Sequence, residues 1–167
     1  FKRIDLKTNN LVYPNFMNVT NTSLNTTVEN EHGVKVSTIE HLMGALFGLG
    51  IDNAIIEIDN DEVPILDGSA KTFIEKIITA GIQVSDTPIK IIKINKKLNI
   101  TDEKRYISID KSNVTSDIEF QIKYKNKIIN TQSNKINIFE DNLDDIFNSR
   151  TFCLYEDIEK LKKMKLG

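Results

Sequence analysis

At 167 residues, 40% hydrophobic and 28% charged, the chain has the composition of one ordinary globular domain or two small ones, which excludes a disordered segment. Its 22 Lys and Arg against 24 Asp and Glu give a net charge of -2, which excludes a basic field for nucleic acid or anionic lipid. The apolar runs fall far short of a membrane span, and a single cysteine, Cys153, excludes an internal disulfide.

Phe1–Leu6 alternates apolar and polar residues, as a half-buried strand does. Leu11–Tyr13 and the Asn/Thr-rich run Asn18–Asn25 follow, with Pro14 breaking the pairing. Thr26–Val28 and Val34–Val36 predict a hairpin around Glu29–Gly33, with Gly33 at the turn. Ser37 then opens a helix. Ser37-x-x-Glu40 has the spacing of a capping box, in which each side chain satisfies a backbone N–H at the helix start. Ile39, Leu42, Met43, Leu46 and Phe47 form one apolar stripe, and Gly48 and Gly50 supply left-handed stop positions.

Ala54–Ile58 predicts a short strand turned by Asp59-Asn60-Asp61. Asp67-Gly68-Ser69 leads into a second helix with Phe73, Ile74, Ile77 and Ile78 on its buried face and Gly81 at its end. The polar stretch Gln83–Pro88 predicts a boundary between a first domain, 1–85, and a second, 86–167. Strands are expected at Ile89–Ile94, Lys97–Ile100, Tyr106–Asp110, Ile118–Tyr124 and Lys135–Ile138, with turns at Thr101–Lys104 and Lys111–Asn113. A short acidic helix over Glu140–Phe147, a bend at Ser149–Phe152 and a final helix over Leu154–Met164 complete the pattern. Both ends look cut, since the chain starts at Phe1 in strand-like sequence and stops just after that helix.

Glu40 and His41, side by side in the first helical turn, are the best candidates for chemistry. Glu40 is either the cap partner of Ser37 or a catalytic carboxylate, and spacing alone favours the cap, since capping boxes are common at helix starts. His41 takes the position where a staple to Val36 favours an apolar residue, so it gains no packing advantage there. Neighbours on a helix point about 100° apart. A carboxylate can therefore reach past a metal-bound imidazole, the geometry of a metal hydrolase whose base adjoins a ligand. One histidine is not a metal site, however, and His32 reads as a solvated residue of the hairpin turn.

At these residues the chain resembles the UDP-3-O-acyl-N-acetylglucosamine deacetylases, zinc enzymes of lipid A biosynthesis. The family pattern S-T-x-E-H-L, G-L-G-I-D-N and E-x-P-I-x-D-G-S-A matches Ser37–Leu42, Gly48–Asn53 and Glu62–Ala70. A second signature around R-T-F, followed by a D-I-E-x-L helix, matches Asn148–Phe152 and Asp157–Leu161.

The resemblance implies that His41 is a zinc ligand, that Glu40 is the general base, and that Thr151 hydrogen-bonds the oxyanion. It implies that Phe152 packs on the sugar and that Leu154, Ile158 and Leu161 wall the acyl-chain passage, although core packing explains those three equally well. Asp67 is expected to fix the turn before the second helix. The implied fold is α+β: two similar two-layer domains, each a sheet with helices on one face, with the active site between them. The first would lack its opening strands and the second would be incomplete. The remaining ligands, an H-x-x-x-D pair, and a later catalytic histidine are expected beyond Gly167.

The implied enzyme is a cytoplasmic monomer that takes a UDP-sugar lipid precursor and no nucleic acid, and the chain alone is expected to be inactive. Two rival readings are a non-catalytic binding module on the same scaffold and part of a deacetylase-dehydratase fusion.

Overall fold

In the computed structural model, which describes residues 1–112 and 116–163, the expected hairpin is built on one asparagine. Asn30 Oδ1 accepts from the backbone N–H groups of His32 and Val34 at 3.0 Å each, and Asn30 Nδ2 donates to the carbonyls of Asn9 and Leu11. Gly33, at φ 80°, takes the left-handed position that closes the turn. The flanking strands β3 (Thr27–Glu29) and β4 (Lys35–Val36) follow β1 (Lys2–Arg3) and β2 (Val19–Asn21) in chain order. The three-stranded antiparallel sheet has the order β2-β3-β4.

Helix α1 (Glu40–Gly48) covers this sheet. Its Leu42 and Leu46 pack with Ile39, Val28, Val36, Val12 and Val63 in one buried cluster. Full burial of a side chain of this size contributes about 1.5–3 kcal/mol, so this cluster is the main source of stability. Phe47, expected on the same stripe, is exposed. Strand β5 (Glu57–Ile58) pairs in parallel with β1. Arg3 ties β1 to β4 by donating Nη1 to the Lys35 carbonyl, while its fork grips Asp5 at 2.8 and 2.6 Å. Helix α2 (Lys71–Ala80) ends at Gly81 (φ 88°), as its sequence predicts. Ile74 is buried and Phe73 and Ile77 lean on the core, whereas Ile78 is exposed.

The chain divides into two compact units, one of Phe1–Gln83 with the segment from Asp144 onward, the other of Val84–Leu143. The second unit holds two antiparallel hairpins, β6 (Leu98–Asp102) with β7 (Arg105–Ile109) and β8 (Asp117–Lys123) with β9 (Thr131–Asn137). The expected strand at Ile89–Ile94 does not form, because this segment pairs with no strand among the described residues. The acidic helix is only α3 (Asp144–Phe147), because Glu140 and Asp141 instead fold back on Asn137. The final helix is a 3₁₀ turn at Tyr155–Asp157 running into α4 (Ile158–Lys163), with lysines in its last turn. Asn113 and Met164, assigned to a turn and to this helix in the sequence reading, lie outside the described residues. Helices with several small sheets make the fold α+β.

Candidate active site

The capping box at the start of α1 does not form. Ser37 is drawn away from the helix by a parallel bridge to Glu62. Its N–H and its hydroxyl both donate to the Asp61 carbonyl, at 2.8 and 3.0 Å, and its own carbonyl accepts from Val63 N–H at 3.0 Å. Strand-like pairing outcompetes the cap, and α1 begins three residues later with Ile39 in the cap position and no side-chain cap bond. Glu40 is thereby freed from the role the spacing suggested. Its Oε2 instead accepts from the Thr26 backbone N–H at 3.0 Å. His41 follows, half-buried in the first turn.

The segment Asp61–Ser69 runs from this helix start to a second group of predicted site residues. Near its beginning, Glu62 Oε1 accepts from Thr38 Oγ1 at 2.7 Å. Near its end, the Gly68 carbonyl accepts from Thr151 N–H at 2.9 Å. Gly68 is at φ 79°, and a Cβ there would sit 3.2 Å from Thr151 Cγ2, so both the turn and the close approach select glycine. Asp67 fixes this turn: its Oδ1 accepts from Ser69 N–H at 3.1 Å and from Ser69 Oγ at 2.7 Å. Its Oδ2 meets Arg150 Nη2 at 3.2 Å. The Ser69 hydroxyl bond, helped by the Ser69 amide and the Arg150 charge, holds the Asp67 carboxyl below the usual carboxylate range.

Just upstream, Phe147 lies against Gly48 so closely that a Cβ on that glycine would fall 2.6 Å from Phe147 Cζ. Gly48 does not take a left-handed stop, since its φ is negative; its place in the sequence is explained by this contact, and Gly50 (φ 68°) provides the stop. Phe147 and Thr151 thus dock the segment from Asp144 onto the Phe1–Gln83 part of its own unit at two points. Phe152 is exposed, and Leu154, Ile158 and Leu161 are half-buried. All the predicted site residues, Glu40, His41, Thr151, Phe152, Leu154, Ile158 and Leu161, belong to this one unit.

His32 is exposed, as a turn residue should be, with Nε2 3.4 Å from Glu31 Oε1. It edges a cleft of about 410 Å³ with Tyr13 and several asparagines. The amides of Asn10, Asn18 and Asn30 there are spent on backbone carbonyls, and the cleft holds none of the predicted site residues. Among the described residues no three His, Cys, Asp or Glu side chains converge, so they do not make up a metal site by themselves. His41 offers one donor.

Sequence reasoning did not single out Thr38, Glu62 or Arg150. Glu62 and Arg150 lie inside the matched motifs, but no spacing rule shows that they grip Thr38 and Asp67 across the fold.

The family described as UDP-3-O-acyl N-acetylglycosamine deacetylase matches residues 1–167. A UDP-3-O-acyl-N-acetylglucosamine deacetylase of Nautilia profundicola is 39% identical over 150 residues, covering 89% of this chain and 51% of the relative. One of Wigglesworthia glossinidia brevipalpis is 37% identical over 174 residues, covering 100% and 57%. One of Actinobacillus succinogenes is 39% identical over 154 residues, covering 89% and 50%. The chain spans about half the length of these curated relatives. Among the described residues no helix is long and apolar enough to cross a membrane.

Proposed function

The chain belongs to the UDP-3-O-acyl N-acetylglycosamine deacetylase family, and from that premise we propose that the whole protein hydrolyses the N-acetyl group of UDP-3-O-acyl-N-acetylglucosamine. The observation that carries this reading is the state of Glu40. Its carboxylate is not consumed by a helix cap, and one oxygen is held by the Thr26 amide. Among the described residues no hydrogen bond reaches the other oxygen, which is left for a water.

In the proposed reaction Glu40 takes a proton from water as its oxygen bonds to the acetyl carbon. The Thr151 hydroxyl donates to the oxyanion that forms on the carbonyl. The C–N bond then breaks, the amine takes a proton, and acetate leaves. Phe152 packs on the sugar, and Leu154, Ile158 and Leu161 line the path of the acyl chain. Zinc is the cofactor that the resemblance implies. His41 would give it one ligand, and the described residues supply no complete set. The same reading makes the protein a cytoplasmic monomer of two similar domains, 1–85 and 86–167.

The test is acetate release from the UDP-sugar by the full-length protein, with bound zinc measured alongside. Release of one acetate per free amine is expected. His41→Ala should lose zinc and activity together, while Glu40→Gln should keep zinc. No acetate from the intact protein, or equal zinc loss in both variants, overturns the assignment.

A further inference from the structure

Thr38 lies two residues before Glu40 with φ 56°, a conformation in which a β-branched residue is an outlier. Backbone of this kind persists only where its surroundings hold it. Here they do so through side chains. Thr38 is buried, its Oγ1 donates to Glu62 Oε1 at 2.7 Å, and it accepts from Asn25 Nδ2 at 3.2 Å. The bridge between Ser37 and Glu62 brings the carboxylate to it. The residue after Asn25 is Thr26, whose N–H holds Glu40. One small network therefore sets the turn that starts α1 and flanks the amide on which the Glu40 carboxylate rests.

We propose that Thr38 and Glu62 are positioning residues for Glu40, and that their hydrogen bond holds the backbone turn that aims its carboxylate. The proposal rests on Glu40 being the base. It also gives two motif residues, the T of S-T-x-E-H-L and the E of E-x-P-I, a task that neither the cap nor the substrate contacts supply. A base displaced by a fraction of an ångström still binds its surroundings but transfers the proton less often, so the loss falls on turnover rather than on substrate binding.

The test is steady-state acetate release by the full-length protein. Glu62→Ala and Thr38→Val are expected to lower kcat about tenfold with KM nearly unchanged. Glu62→Gln and Thr38→Ser, which each keep an oxygen in place, should retain kcat. Glu62 is exposed, so Glu62→Ala keeps the test open if the buried Thr38→Val fails to fold. In a Glu40→Gln background, Glu62→Ala should cost nothing further, because residues acting through one group are not additive. Equal loss in both backgrounds would place the effect of Glu62 elsewhere and sink the proposal. Intact kcat in Glu62→Ala, with kcat lost in Glu40→Gln, would also sink it while leaving the base in place. Normal turnover by Glu40→Gln itself would remove the base and the proposal together.

Discussion

Val28 faces Val36 across β3 and β4, and Ile100 faces Ile107 across β6 and β7. Both are apolar cross-strand pairs in antiparallel ladders. The valines are 1% and 0% exposed, and the isoleucines 69% and 68%. The strands do not differ in kind; their cover does. Ile39, just before α1, and Leu42 and Leu46 within it close over the valines, whereas among the described residues the second unit contains no helix. Period-two alternation makes a strand, but burial needs an apolar face from another element. The covered unit is also the one that carries all the candidate chemistry. Groups that must hold position to a fraction of an ångström sit where packing fixes the backbone.

The sharpest way to break this comparison is to truncate both regions alike. Leu46→Ala should destabilise the first unit by about 2–5 kcal/mol, the cost of a core cavity. Ile107→Ala should change stability by no more than about 0.5 kcal/mol, as at an exposed site. Equilibrium denaturation of the 167-residue chain measures both, and similar losses would mean that the second unit has a core of its own. A smaller effect is expected at Gly68→Ala, where positive φ and the contact with Thr151 should together cost about 1–2 kcal/mol. The melting temperature should fall, and an unchanged value would show that the docking of Thr151 on this turn contributes little.

The smallest effect concerns pH. The Asp67 carboxyl is depressed in the folded chain, by Ser69 first and then Arg150. Such a group stabilises above its unfolded pKa of about 4 and loses that contribution as pH falls through the lower folded value. Asp67→Asn should therefore lower the melting temperature slightly on the neutral side and leave the acid extreme little changed, which flattens the acid limb between them. The pair with Arg150 is largely exposed and accounts for only a minor part. An acid limb identical to that of the parent would remove Asp67 from the account.

The elements of the first unit were legible because their signals are local. Gly33, Gly81 and the stripe Leu42, Met43, Leu46 mark turn, stop and buried face within a few residues. The start of α1 is not legible in sequence, for the opposite reason. Ser37 has a good local partner in Glu40, and a better one in the Asp61 carbonyl, 24 residues away. Gly48 reads as a stop in sequence because glycine at a helix end usually is one, and only the fold brings Phe147 against it. The strain at Thr38 leaves no mark in sequence at all, since threonine is a poor choice for that conformation. The roles of Glu40, His41 and Thr151 came from the motif resemblance, and the structure adds the bonds that hold two of them.

The central claim is that the chemistry belongs to the packed first unit, with Glu40 as its base. The most direct measurement compares acetate release by the full-length protein carrying Glu40→Gln with that of Arg105→Ala, an exposed change on the second unit's hairpin. Glu40→Gln should lower turnover by about 10²–10⁴-fold, the usual worth of a positioned base, with zinc content and melting temperature held. Arg105→Ala should turn over like the parent. Undiminished turnover by Glu40→Gln, or an equal loss in both variants, would contradict the claim.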